Sequence, residues 1–334
     1  MLARESSAIR AVSCCVIVCV SQVSLAEDAT TTVAQPVTKA ALNEQTVQLK
    51  YKFQPGQFVN YEVSDRVRYV MQQAGKAFET FQRNDSSKHF RVVSVDDDGS
   101  ALLEPILDRI NMSAGSREAD KAGKLHDQTR VKFNSATDQV APPEFQRHKE
   151  TVGKPMARFK FATHGELLSV QIIADDVPKP NTSAAALANP KMNFLVPLPT
   201  EPISVGHRWK QKFDEPITVG PSLTQQIPML RQYELTSVSD GIATIKFRTS
   251  ILALLNEPKI QGQLAQQTPS GTIEFDIEHG WIRSRKSITN ETVVNALGQQ
   301  TVLQVVGEST EKLIPNGAAI QQVGFTKESD SSAK

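Results

Sequence analysis

From Val47 to Met71 apolar and polar side chains alternate almost without a break, and this period of two constrains the fold more than any other feature of the chain. Val47-Gln48-Leu49-Lys50-Tyr51-Lys52-Phe53 alternates throughout. After a Pro55-Gly56 turn, Val59, Tyr61, Val63, Val67, Tyr69 and Met71 continue on one parity, with only Asp65 breaking the row. Successive side chains of a strand point to opposite faces. The pattern therefore predicts a half-buried strand over 47–53, then a long strand or two joined by a bend, in an antiparallel sheet with one wet face.

The same signal recurs downstream. Lys88–Val95 and Ala101–Met112 flank Asp96-Asp97-Asp98-Gly99. An EF-hand loop with its glycine at Gly99 would need its bidentate Glu at position 105, where Pro105 stands and Glu104 is one place early, so the stretch reads as an Asp-Gly hairpin turn. Ser113–His126 reads as polar loop, Gln128–Phe133 as strand, and Asn134–Gly153, with Pro142-Pro143, as a long excursion. Met156–Phe161 and Glu166–Ile173 form a hairpin around His164-Gly165. Asp175–Pro190 is a Pro- and Ala-rich segment with one short helix across Thr182–Ala188. Ile242–Leu254, Thr272–Ile277, Trp281–Ile288 and Thr301–Val306 supply the remaining strands, and 326–334 is a polar tail.

Between the halves lies Leu195–Trp209. Pro197, Pro199 and Pro202 forbid a helix there, and Val205-Gly206 turns the chain into a strand at Trp209. Beyond this joint the pattern repeats. Gly206 and Trp209 answer Gly56 and Val59; Asp240-Gly241 answers Asp98-Gly99; His279-Gly280 with Ser284 answers His164-Gly165 with Ser169. The glycine intervals are 66 and 39 residues, so the first half carries the excursion. The expected fold is all-β with little helix: two tandem homologous antiparallel meanders over 46–177 and 194–315, linked by 178–193. They either curl on themselves or pack face to face around a shared core.

Residues 1–26 form a different kind of segment. Arg4 and Arg10 precede an apolar run over 11–20, and Ser24-Leu25-Ala26 offers small residues before Glu27, so an export signal is expected, followed by a disordered linker over 27–45. Cys14, Cys15 and Cys19 all lie in that signal. The mature chain therefore has no cysteine, and bulky Val18 argues against lipidation at Cys19. Cleavage takes Arg4, Arg10 and Glu5 away, leaving 35 basic and 35 acidic residues of the 37 and 36. Basic residues are scattered along the chain, which argues against nucleic acid and against electrostatic attachment to an anionic membrane. No later apolar segment is long enough to be a transmembrane helix. Residues 316–334 are expected to be a flexible tail.

Catalytic signatures are missing. Ser222 lacks the second glycine of a nucleophile elbow, and the six histidines, His89, His126, His148, His164, His207 and His279, lack metal spacing. His164 and His279 read as polar residues beside turn glycines, Trp209 and Trp281 as core anchors, and Asp175-Asp176 as solvated. Asn84, Asn111, Asn181 and Asn290 fit the glycosylation triplet and read as unmodified surface residues. No catalytic, metal-ligating or ligand-binding residue and no cofactor is assigned.

Leu49–Tyr61, Val92–Gly99 and Leu198–Trp209 together resemble a family of exported bacterial proteins of unknown function. Its members share a signal peptide, a Val-x-x-Asp-Gly hairpin and a mid-chain Leu-Pro-x-x-Pro-Val-x-Val-Gly-x-x-Trp joint. The resemblance implies export and a β fold and brings no catalytic residues. Three functions stay open: a non-enzymatic exported protein that binds an apolar or amphiphilic ligand, or a cell-envelope partner, on a curved sheet; a purely structural repeat module; and a hydrolase using Glu144, His148 and Glu150 in the 134–153 excursion.

Overall fold

The computed structural model describes residues 46–120, 122–174, 187–191, 193–219 and 223–315. Its strands are β1 (Phe58–Gln73), β2 (Lys76–Val95), β3 (Ala101–Ala119), β4 (Leu125–Asn134), β5 (Ala157–Phe161), β6 (Leu167–Ile172), β7 (Arg208–Thr218), β8 (Thr224–Ser239), β9 (Ile242–Ile251), β10 (Ser270–Asp276), β11 (Trp281–Val294) and β12 (Thr301–Ile314). All twelve join one antiparallel sheet in the order β6-β5-β3-β2-β1-β12-β11-β10-β9-β8-β7, with β4 beside the far half of β3. Among the described residues the helical elements are α1 (Gln146–Thr151), α2 (Pro258–Leu264) and two 3-10 turns, Pro143–Phe145 and Ala265–Gln267, with Leu187 also helical.

The halves meet at the middle of this sheet, where β1 and β12 pair from Asn60↔Ile314 to Gln73↔Thr301. One apolar cluster then takes Tyr61 from β1, Val92 from β2, Leu103 from β3, Leu167 from β6, Tyr233 from β8, Ile245 from β9 and Phe275 from β10. A flat sheet of this width could not bring strands near both edges into one core, so the sheet is curled, as strand twist favours.

Residues 46–53 fill the curl. Their alternation is real, with Leu49 and Tyr51 buried, but they are not a strand of the sheet: only Val47 bridges, to Ile203. The inward row gives the segment its period of two without a ladder. Tyr51 donates its N–H to Thr163 (2.8 Å) and its hydroxyl to the carbonyl of Val196 (3.1 Å), and accepts the Val196 N–H (2.9 Å), while Lys52 donates its N–H to Gly280 (3.4 Å). Burial pushes the Tyr51 hydroxyl far above its ordinary pKa, so it stays a neutral donor. The proline joint lies alongside, burying Leu195, Val196, Leu198 and Ile203. Its prolines cost no ladder bonds, because the joint is not part of the ladder.

Turns at Gly56 and Gly206 carry bonds of similar pattern. Gly56 donates to Val92 (2.9 Å) and Val92 to Gln57 (2.9 Å); Gly206 donates to Leu235 (2.7 Å) and Leu235 to His207 (3.0 Å). Gly56, Gly99 and Gly165 in one half, and Gly206, Gly241 and Gly280 in the other, all have positive φ. Register shifts fall at Val92/Ser94 and at Leu235/Ser237, and again at Lys160/Phe161 and at Glu274/Phe275.

Several sequence readings are corrected. Of the two alternatives for the row from Val59 to Met71, the single long strand is the one formed, as β1. Ser113–Ala119 and Leu125-His126, read as loop, belong to β3 and β4; they are polar because that end of the hairpin runs past the core, so pairing rather than burial holds it. β2, β11 and β12 run well beyond the stretches assigned to them, and β9 stops at Ile251 instead of continuing to Leu254. Helix α2 carries no period long enough to be read from sequence. The Thr182–Ala188 helix falls mostly outside the described residues, as do the signal, the linker at 27–45 and the tail.

A methyl group on Gly165 would sit 2.4 Å from the Val196 carbonyl at a φ of +82°, whereas one on Gly56, at +76°, meets nothing. Left-handed backbone alone costs ~1–2 kcal/mol for a side-chain residue. Gly56→Ala is expected to lose about that much in urea denaturation and Gly165→Ala clearly more. Equal losses would show that the joint gives way freely.

Candidate functional site

Two places on the sheet combine unusual chemistry with a specific geometry. The first is a polar band on the inner face. Asp65, the residue that breaks the alternation of β1, points inward and accepts the Ser309 hydroxyl (2.5 Å) and the Asn84 amide (3.4 Å). Beside it Lys88 binds Glu311 at 2.7 Å, and Arg285 lies 3.6 Å from the same carboxylate while donating to the Phe194 carbonyl (3.0 Å). The Lys88 ammonium also stands over the Phe90 ring, 5.3 Å from its centroid. Burial works to raise the Glu311 carboxyl, but the charges of Lys88 and Arg285 outweigh it and hold the group below its ordinary value. These mutual bonds occupy most of the band's donors and acceptors, while Asn84 Oδ1 and Arg285 Nε are buried without a hydrogen-bond partner. The band fixes register at the centre of the sheet and offers no open face to a substrate.

The second place is a notch. β10 spans only seven residues while β11 spans fourteen. Beyond Ser270 no strand lies between the end of β9 and the far half of β11, because the chain from 252 to 269 leaves the sheet to build α2 beneath it. Ile260 and Leu264 of α2 pack on Phe213, Ile227 and Met229, and Ala265 on Leu303 and Val305, so the helix bridges the inner face. What remains is an open groove of about 750 Å³. Leu264 and Ala265 form its floor, Ile251, Leu255 and Val293 line its walls, and Arg248, Asn290 and Glu291 line its rim. Glu291 is held by the Thr268 hydroxyl (3.1 Å). Leu254, 97% exposed, stands at the edge. Thr249, Ser250, Gln261, Thr268 and Ser270 also line the groove, so apolar and polar side chains contribute equally, a mixture suited to an amphiphilic molecule.

The excursion at 134–153 covers the far part of the first half. Ala141 and Phe145 bury themselves against Ile110, Met112 and Phe133. Glu144 and His148 are exposed; Glu150 accepts from Gln146 (2.9 Å), and no bond joins His148 to either acid. His164 pairs with Glu166 (3.0 Å) and His279 with Asp276 (2.9 Å), both at turns. Partial burial works to raise the Asp276 carboxyl, yet the bonds from His279 outweigh it and hold the group low. Trp281 is buried in the core, and Trp209 donates to the Pro197 carbonyl (2.7 Å), tying β7 to the joint. Asp96–Gly99 forms a hairpin turn, with Gly99 donating to the Asp96 carbonyl (2.9 Å). Asn84, read as a surface residue, faces inward with its Oδ1 buried and unbonded, so it is no glycan acceptor in the folded chain. Asp175, Asp176, Asn181 and Ser222 lie outside the described residues. Among the described residues no three His, Cys, Asp or Glu side chains are grouped to hold a metal ion, and no helix is long and apolar enough to cross a membrane.

The notch itself left one mark in the sequence, unread: Ile251–Leu255 is a run of apolar residues where alternation stops.

No protein-family model matches this chain, and no curated protein matches it. Among solved structures it is similar to one described as lipid-protein interactions in lipovitellin, at 14% identity and a TM-score of 0.38, over 78% of this chain and 25% of that one. This chain thus spans about a quarter of that chain's length, and at such values the likeness carries no argument.

Removing the charge of Glu311 would leave Lys88 and Arg285 facing each other in the core, at a cost of ~3–5 kcal/mol. Glu311→Gln should show this as a fall in the urea midpoint. Because the folded carboxyl titrates below its unfolded value of about 4.3, the wild-type contribution is full above that pH and is lost as pH falls through the folded value. The variant's acid stability limb should therefore be shallower than the wild type's. An unchanged limb would assign the acid dependence to other carboxylates.

Proposed function

We propose that the chain is a non-enzymatic, exported β protein, built of two copies of one meander, that binds an apolar or amphiphilic ligand in the notch beside β10. The observation that carries this is the interruption of the sheet between Ile251 and Val293, which leaves a groove whose apolar walls, Ile251, Ala253, Leu255 and Val293, are only partly buried above the packed Leu264 and Ala265. The inner face around Val59 and Tyr61, where a curved sheet would ordinarily enclose a ligand, is filled by 46–53 and the joint. The notch therefore takes that role.

Export is supported by the arginines, apolar run and small residues of positions 1–26. The repeat is supported by the matching bonds at Gly56 and Gly206 and by the paired register shifts. The filled core favours a second reading, a structural or interaction module whose halves bury each other with no ligand.

Native mass spectrometry of the chain from Glu27 onward, purified from its host's envelope, separates the two. Under the binding reading a lipid or other small amphiphile is retained, and Ala253→Trp, which places an indole in the partly buried wall of the notch, removes it while leaving the thermal melt unchanged. A chain that flies at its bare sequence mass, and shows no uptake of a fluorescent long-chain fatty acid, leaves the structural module as the function.

A further inference from the structure

Basic residues are scattered along the sequence but gathered in space. Outward-facing positions of neighbouring strands align in rows across the second half: Arg208, Glu234, Lys246, Thr272 and Lys286 in one, and Lys210, Gln232, Arg248, Ser270 and Ile288 in the next. All of these but Lys286 line a shallow saddle of about 670 Å³. Arg208 is neutralised by Glu234 (2.9 Å) and Lys286 by Glu308 (2.8 Å). Lys210, Lys246 and Arg248 of the saddle, and Lys212 in the next row along β7, have no carboxylate partner among the described residues, so the saddle and its border carry uncompensated positive charge.

The saddle and the notch share Arg248, Ser270 and Ile288. At this shared border the surface turns apolar: Ile288 is 51% exposed, and on the segment just after β9 Leu252 is 49% and Leu254 97% exposed. Bare leucines beside unpaired cations are costly in water and are accounted for by a surface that is both anionic and greasy.

We infer that this outer face of β7–β11 docks on an anionic lipid bilayer, with Lys210, Lys212, Lys246 and Arg248 against the headgroups and Leu252 and Leu254 entering the interface. The cations supply charge complementarity to the membrane surface, and the leucines select lipid over other polyanions. A nucleic acid would use the same cations but gains nothing from exposed leucines, and no Phe, Tyr or Trp side chain points outward from the two rows to stack a base. The amphiphile reading above gives the docking its purpose, since the notch opens on the same face, but the docking stands on its own residues.

Vesicle co-sedimentation of the chain from Glu27 onward tests it, with vesicles of phosphatidylcholine alone and with about one-third phosphatidylglycerol. The expected result is binding to the anionic vesicles only, falling as salt is raised to about 0.5 M. Lys246→Glu with Arg248→Glu should weaken it about tenfold or more, and Leu254→Ser should weaken it without altering the melt. Lys210→Glu with Lys212→Glu gives an independent charge reversal should the first pair disturb folding. Ala253→Trp should leave sedimentation intact while abolishing fatty-acid uptake, whereas Lys210→Glu with Lys212→Glu, which lie outside the notch, should weaken sedimentation and spare uptake, so the two proposals fail separately. Equal binding to both vesicle types, no binding to either, indifference to both charge reversals, or tighter binding to duplex DNA than to anionic vesicles at the same salt would each overturn the docking.

Discussion

Tyr51 is the contact on which the arrangement depends. A curled sheet has an inside that must be filled, and the residue that fills it must also satisfy its own polar groups, since a buried unpaired donor costs about as much as the hydrogen bond it forgoes. Tyr51 does both. Its ring meets Phe275 and Trp281 edge-on, with centroids 5.3 and 6.0 Å away. Its hydroxyl closes a reciprocal pair with the backbone of Val196, and its own N–H holds the turn at Thr163. With Lys52 bound to the turn at Gly280, one short stretch of chain ties together a turn from each half.

The proline joint works in the same way. A segment crossing the interior of a β protein is a hazard if it offers free backbone donors, and three prolines remove three of them. The remaining groups find partners outside the sheet: Leu198 donates to the His164 carbonyl (2.7 Å) and Ile203 to Val47 (2.9 Å). Side chains that a strand would point alternately inward and outward, Leu195 and Val196 among them, are here both buried, because the joint has protein on more than one side.

The sequence carried the β class, the little helix and most of the turns, because period-two alternation and positive-φ glycines are local signals. It misread two kinds of place. Polar stretches such as Ser113–Ala119 looked like loop because alternation reports burial, and a strand that projects past its core is paired without being buried. Residues 47–53 looked like strand for the opposite reason: their burial alternates although their backbone is not in a ladder. The site was less legible still. The notch exists because β10 is short relative to β11, a difference of lengths between strands that no single stretch displays, and the saddle exists because cations 36 and 38 positions apart, Lys210 with Lys246 and Lys210 with Arg248, are brought onto one face. Asp65 was visible as an interruption, but its meaning needed Ser309 from the other half.

The pairing of β1 with β12 also governs how the chain can assemble. These two strands form the centre of the sheet, yet Gln73 and Thr301 close the tightest loop of the pair and everything from β2 to β11 lies between them. As residues are synthesised in order, the first half is complete long before the strand that will cover the open edge of β1. Until then that edge offers unpaired N–H and C=O groups to any neighbour. Closing so long a loop also places the decisive contacts late, at high contact order. The arrival of β12 thus converts an exposed edge into the middle of the sheet.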